Sequence, residues 1–240
     1  MPYRRLPNTD SARIRAMKAA LDKGRTLHPS KLAYSQAMYV KLKTFMPAFE
    51  KAVQEQRIAT QLQATNNKQY LVFVKKAQMY LSHFVQVLNF SILREELPES
   101  IRTLYGLKTT FKKVPPLNTE EEIINTGKEI IEGEEKRTRR GGTPLLNPKI
   151  SMVKMHYEKF MDACHHQKIL KDNSSRAQMK VASLRTKADD IILEIWNDIE
   201  LQYEDVPSKE KRDTCIEYGL VYVYRKKEVH KTNSFLQLSA

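Results

Sequence analysis

Four short landmarks occur twice along this chain, in the same order. Leu6-Pro7-Asn8-Thr9 corresponds to Pro116-Leu117-Asn118-Thr119, and His28-Pro29-Ser30-Lys31 to Asn147-Pro148-Lys149-Ile150. Leu97-Pro98-Glu99-Ser100 corresponds to Val206-Pro207-Ser208-Lys209, and Tyr105-Gly106-Leu107 to Tyr218-Gly219-Leu220. The copies lie 110, 119, 109 and 113 residues apart, so insertions and deletions separate them. A repeat constrains a fold more than composition does, because each copy must adopt a similar local architecture. The competing reading is a coincidence of Pro-initiated helices.

Each copy has a physical interpretation. Thr9 and Thr119 are N-cap candidates, and Thr119-Glu120-Glu121-Glu122 fits a capping box with acids in the first turn, where the helix dipole favours them. They predict first helices over about 10–23 and 120–132. Pro29 and Pro148 suit the first position of a second helix. That helix carries the stripe Met38, Leu42, Phe45, Phe49, Ala52, Val53 in copy one and Val153, Tyr157, Phe160, Met161, Cys164 in copy two. Pro47 lies inside the first stripe and predicts a kink or break. A third helix has the widest stripes, from Phe73 to Ile92 and from Ala188 to Tyr203. Pro98 and Pro207 stop these helices, and a short fourth segment runs to Tyr105 and Tyr218. Gly106 and Gly219 then suit a left-handed turn. The β-prone segments 107–111 and 220–224 follow, and are predicted to pair antiparallel with each other.

The predicted fold is mainly all-α. Two similar units of long antiparallel helices form a pseudo-two-fold bundle, with one short β-strand per unit. The basic repeat unit is 1–115, the charge-balanced one 116–228, and 229–240 is a flexible tail. Only 7 Gly and 10 Pro in 240 residues argue against a sandwich or barrel. Residues 112–116 form a stiff linker, and 136–144, with Gly141-Gly142, a mobile loop.

The opening MPYRRLPNTD, together with the duplicated helical pattern, resembles a family of uncharacterised, internally duplicated helical proteins of Bacteroidetes-type bacteria. The resemblance implies a helical repeat fold and carries no assigned activity or catalytic residues.

Charge divides unevenly along the chain. The net charge is +13, from 41 Lys and Arg against 28 Asp and Glu. Residues 1–115 hold 20 Lys and Arg against 7 acids, while the remainder holds 21 of each. Such asymmetry points to a partner rather than to a fold. The N-terminal Arg4 and Arg5 are followed by Arg13, Arg15, Lys18 and Asp22 instead of an apolar run, so no secretory signal is expected. With two cysteines, Cys164 and Cys215, the expectation is a cytoplasmic chain with reduced thiols. The longest uncharged run, 77–93, falls short of the roughly 20 residues that span a bilayer. No membrane contact is expected.

No P-loop, dinucleotide fingerprint, G-x-S-x-G or H-E-x-x-H pattern is present. Glu158, Asp162 and His165 share one helical face at the spacing of carboxylate-bridged metal sites, but a solvated face near a helix C-terminus explains them better. Asp189, Asp190, Glu194 and Asp198 suggest an acidic edge paired with basic residues of the first copy. The basic residues Arg4, Arg5, Arg13, Arg15, Lys18, Lys23, Arg25 and Lys31 crowd the N-terminal helix. They predict a non-enzymatic interaction or scaffold protein, without cofactor, whose basic first unit docks an acidic partner while the second supports it or self-associates. The alternative is a sequence-nonspecific nucleic-acid binder, whose phosphates the same residues would attract. A metal-binding bundle using Asp162 and His165 comes third.

Overall fold

The structure, a computed structural model, describes residues 2–109 and 113–224. In chain order it contains β1 (Tyr3–Arg4), α1 (Asp10–Thr26), a 3-10 turn (Pro29–Lys31), α2 (Gln36–Leu93) and a 3-10 segment (Glu99–Tyr105). Then follow α3 (Glu120–Arg139), α4 (Ile150–Gln202), α5 (Ser208–Glu217) and β2 (Tyr222–Val223). The chain is mainly helical, and no helix among the described residues is long and apolar enough to cross a membrane.

The helix starts follow local chemistry. Thr9 caps α1 by accepting from the Ala12 N–H at 3.2 Å. Thr119 and Glu122 form the complete capping box of α3, and the backbone donors hold the Glu122 carboxyl below the usual carboxylate range. Gly106 and Gly219 take the left-handed conformation at φ +65° and +92°. Pro29, by contrast, opens only a 3-10 turn, and α2 begins at Gln36.

The predicted second and third helices of each copy are one helix. Between Pro47 and Pro98, and between Pro148 and Pro207, the sequence has neither proline nor glycine, so nothing ends α2 or α4 midway. Pro47 does not break α2 either. An interior proline costs about 3 kcal/mol, and burying the flanking Met46 and Phe49 returns about 1.5–3 kcal/mol each. The loop is also shorter than predicted. Residues 136–139 belong to α3, and Arg137 Nη2 donates to the Thr143 carbonyl at 2.7 Å, anchoring the loop's start.

Two compact units result, and each draws on both chain halves. One comprises residues 1–59 with 175–240, the other 60–174. In the first, the early part of α2 runs antiparallel to the late part of α4, as the pairs Lys41–Glu194 and Glu55–Lys180 require. Its core includes Met17, Leu42, Phe49, Ile192, Trp196 and Tyr218. In the second, the late part of α2 runs antiparallel to the early part of α4, with Asn66 donating to Gln167 and Tyr80 stacked on His156. Its core includes Leu81, Phe84, Tyr105, Ile130, Val153 and Phe160. The antiparallel partners therefore come from opposite sides of the predicted boundary at 115/116, where the sequence suggested partners on the same side. The charge asymmetry shrinks accordingly. The first unit holds 23 Lys and Arg against 15 acids, the second 18 against 13.

The sheet also departs from expectation. β2 pairs antiparallel with β1, Tyr3 opposite Val223 and Arg4 opposite Tyr222. Residues 107–109 are not strand, and 110–111, like the tail 229–240, lie outside the described residues. The Glu200 carboxylate explains the pairing, because it accepts from Arg4 Nη1 at 2.9 Å and from Tyr222 OH at 2.7 Å, tying the two strands to α4.

Candidate functional site

The eight cations singled out in the sequence have separate fates. Arg4 donates to Glu200 and to Asn197 Oδ1. Arg13, 9% exposed, grips Asp189. Lys23 pairs with Glu217 and lies 5.8 Å from the centre of the Tyr218 ring. Arg25 pairs with Asp22 of its own helix at 3.3 Å. Arg5, Arg15, Lys18 and Lys31 are exposed and form no side-chain ion pair among the described residues. Asp189 and Glu194 of the acidic edge thus meet Arg13 and Lys41, whereas Asp190 and Asp198 form no ion pair there.

Arg5 and Arg15 border a groove of about 530 Å³ in the first unit. Three segments build it. After β1 the chain crosses from Arg5 to Asn8 before Thr9 caps α1, giving one wall. Helix α1 presents Ala12, Ala16 and Ala19 along one face, and the segment from the end of α5 into β2 supplies Ile216 and Val221. Trp196, 1% exposed, is the bulkiest buried side chain in the lining. Leu6, Ile216 and Val221 are 46%, 52% and 49% exposed, so the apolar walls are wet. The lining contains no carboxylate, histidine or cysteine among the described residues; its charged members are the two arginines.

Gly219 and Ala19 line the groove together and lie in close contact. Gly219 packs so closely on α1 that a Cβ there would sit 2.9 Å from Ala19 Cβ and 3.0 Å from the Ala16 carbonyl oxygen. In the second unit, Gly106 meets Glu129 of α3, whose side chain would clash with any Cβ at that glycine.

The remaining polar groups do not assemble chemistry. Glu158, Asp162 and His165 are exposed on α4, and no group of three potential ligands is placed to hold a metal ion among the described residues. His156, adjacent in sequence, is buried against Tyr80 at a ring separation of 4.0 Å. Cys164 is half-buried and Cys215 buried, and burial pushes both thiols up, away from the nucleophilic thiolate. The deepest charge pair, Glu134 with Arg137, joins Tyr105 OH and the Leu145 N–H in a closed network. Burial pushes Glu134 up, but hydrogen bonds from Arg137, Tyr105 and Leu145 outweigh it and hold the carboxyl low.

Sequence reasoning identified Arg5 and Arg15 but missed Trp196, Ile216 and Val221 as their neighbours. The available signal was the spacing of Ala12, Ala16 and Ala19, a helical face with little to bury by itself. Comparison with protein-family models, curated proteins and solved structures finds no match for this chain.

Proposed function

We propose that this protein is a non-enzymatic interaction protein that docks an acidic protein segment in the α1 groove. One observation carries the reading: Arg5 and Arg15 flank a wet apolar groove without an acid of their own among the described residues, while neighbouring Arg4, Arg13 and Lys23 are answered by carboxylates. A partner carrying Asp or Glu around a bulky apolar side chain would satisfy both features. Apolar burial would supply affinity, and the arginines register and association rate.

Nucleic acid is the second reading, favoured by the exposed Lys18 and Lys31. Four of the eight cations are engaged within the chain, which weakens the continuous basic track that a phosphate backbone needs. We also infer that the chain is a duplication whose copies exchange halves, each unit joining the leading part of one copy to the trailing part of the other. The matching caps at Thr9 and Thr119, the left-handed glycines and the buried Tyr105 and Tyr218 support this.

The test is fluorescence anisotropy with three labelled probes: a peptide alternating Leu with Asp and Glu, poly-glutamate, and a short DNA duplex. The mixed acidic peptide is expected to bind most tightly, and Arg5→Glu with Arg15→Glu to weaken it at least about tenfold. Binding unaffected by the two reversals, or absent, overturns the reading. Preferential duplex binding with a steep salt dependence establishes the second reading instead.

A further inference from the structure

In the second unit the late part of α2 lies against the early part of α4, and one turn of that seam gathers cations. Tyr80 of α2 stacks on His156 of α4, with ring centres 4.0 Å apart and planes 20° from parallel. Lys76 lies four residues before Tyr80, and Lys159 three after His156. Because the helices run antiparallel, both steps go the same way along the seam, about 6 Å and about 4.5 Å from the stack. The two lysines therefore flank one place on the seam, and both ammonium charges act on the His156 ring.

No carboxylate answers this pair. Lys76 and Lys159 are exposed and form no ion pair among the described residues. Residues 56–93 of α2 contain no Asp or Glu, and His83, three residues past Tyr80, lies on the far side of the stack. On α4, Glu158 is two positions from His156 and so off its face of the helix. Asp162, three residues past Lys159, forms no ion pair with it. Like charges brought together repel, so an anion between them gains twice: it meets both ammoniums and relieves their repulsion. Below them His156 is 8% exposed, and its Nδ1 has no hydrogen-bond partner among the described residues. The ring thus keeps hydrogen-bonding capacity in reserve.

We propose that this seam binds a phosphate monoester, held as its dianion between Lys76 and Lys159 beside the His156 ring. A dianion matches two facing cations, where a monoanion would leave one unanswered. The next turn in the same direction brings Phe73 and Ala163, both half-buried, and the ester's organic group rests against them. Once the phosphate is in place, the lysine charges no longer oppose a proton on His156, and the imidazolium adds a charged donor. The site lies within the second unit and does not rest on the α1 groove.

NMR titration of the His156 ring protons on the full chain tests this at about pH 7.5, above the second phosphate pKa of about 6. The probes are phenyl phosphate, phenyl sulfate and a phosphoserine peptide. Phenyl phosphate is expected to bind at least about tenfold more tightly than phenyl sulfate, which has the same shape but one charge, and to raise the His156 pKa. Lys76→Gln and Lys159→Gln should each weaken it at least about fivefold, whereas Lys75→Gln, the exposed neighbour on α2, should leave it unchanged. Tighter binding of the peptide assigns the phosphate to a modified protein, and tighter binding of phenyl phosphate to a small molecule. No saturable shift at His156, phenyl sulfate binding as tightly as phenyl phosphate, or Lys75→Gln weakening the ester as much as Lys76→Gln overturns the proposal.

Discussion

Arg13 of α1 holds Asp189 of α4 through two hydrogen bonds, Nε to Oδ1 at 2.7 Å and Nη2 to Oδ2 at 2.9 Å. One α-turn away on α4 the arrangement is reversed: Arg185 donates to both oxygens of Asp10 at 2.8 and 2.7 Å. The Arg185 hydrogen bond holds the Asp10 carboxyl below its ordinary range. Two forked pairs of opposite polarity thus fix the register between α1 and α4. Planar bidentate geometry favours arginine at both positions.

The first prediction separates structural arginines from docking ones. Arg13→Ala removes a mostly buried guanidinium and leaves Asp189 without its fork, so it should destabilise the protein by about 1–3 kcal/mol. Arg15→Ala, on the exposed groove edge, should stay within about 0.5 kcal/mol. Urea unfolding of both variants checks this. Asp189→Asn combined with Arg13→Ala should cost less than the two single changes added together, because both remove the same interaction.

Glu134 supplies a test in acid. Its folded carboxyl titrates below the unfolded value of about 4.3, so over that interval the unfolded chain binds the additional proton. Its contribution is complete above the unfolded value and is lost as pH falls through the folded one. Glu134→Gln should lower stability at neutral pH by about 3 kcal/mol, since Arg137 then stays buried without its carboxylate. It should also flatten the decline of the urea midpoint below about pH 4.5 relative to the parent chain. An unchanged slope would show that the network's charge does not govern acid stability.

His156 makes a second, distinct pH dependence. Burial lowers its pKa, and the charges of Lys76 and Lys159 lower it further, while Nδ1 has no hydrogen-bond partner among the described residues. As pH falls below about 6.5 the unfolded chain takes up a proton that the folded chain resists, so stability declines towards the folded pKa. His156→Phe keeps a ring against Tyr80 and removes the unpartnered nitrogen. It should raise stability by about 1 kcal/mol and flatten the decline of stability that begins below about pH 6.5. An NMR titration of the His156 ring protons reads its folded pKa directly.

Legibility followed the range of each interaction. Thr9, Thr119 and Glu122 act within one helical turn, and the sequence identifies all three. The left-handed Gly106 and Gly219, and the buried faces around Phe84 and Ile195, are equally local. Helix pairing is different. Leu42 and Leu81 present similar apolar stripes, and a stripe does not specify whether its partner comes from the same predicted unit or the other one. The continuity of α2 and α4 decides that, because residues within one helix cannot fold back on one another. The β1–β2 pairing was hidden for a related reason: Tyr3-Arg4 is too short for a period, and its stabilising acid, Glu200, lies far away in sequence. The groove inherits both difficulties, since Trp196 and Arg5 meet only after α4 and β1 are in place.

The last prediction concerns Ala19, which lines the groove beside Gly219. Ala19→Glu introduces on α1 the side chain that α3 carries at Glu129, and Ala19→Gln supplies the same bulk without charge. Ala19 is half-buried and packs against Gly219, so either change should cost about 0.5–3 kcal/mol, and binding is compared on variants whose helical circular-dichroism signal matches the parent chain. Both should obstruct the groove and weaken the mixed acidic peptide at least about tenfold. The glutamate should act more strongly, because it lies one turn from Arg15 and competes for that cation. Glu129→Ala is the matching control: it opens space beside Gly106 without placing Arg5 or Arg15 there, and should create no new affinity for the peptide. If Ala19→Glu and Ala19→Gln bind the peptide like the parent chain, the groove is not where an acidic partner docks.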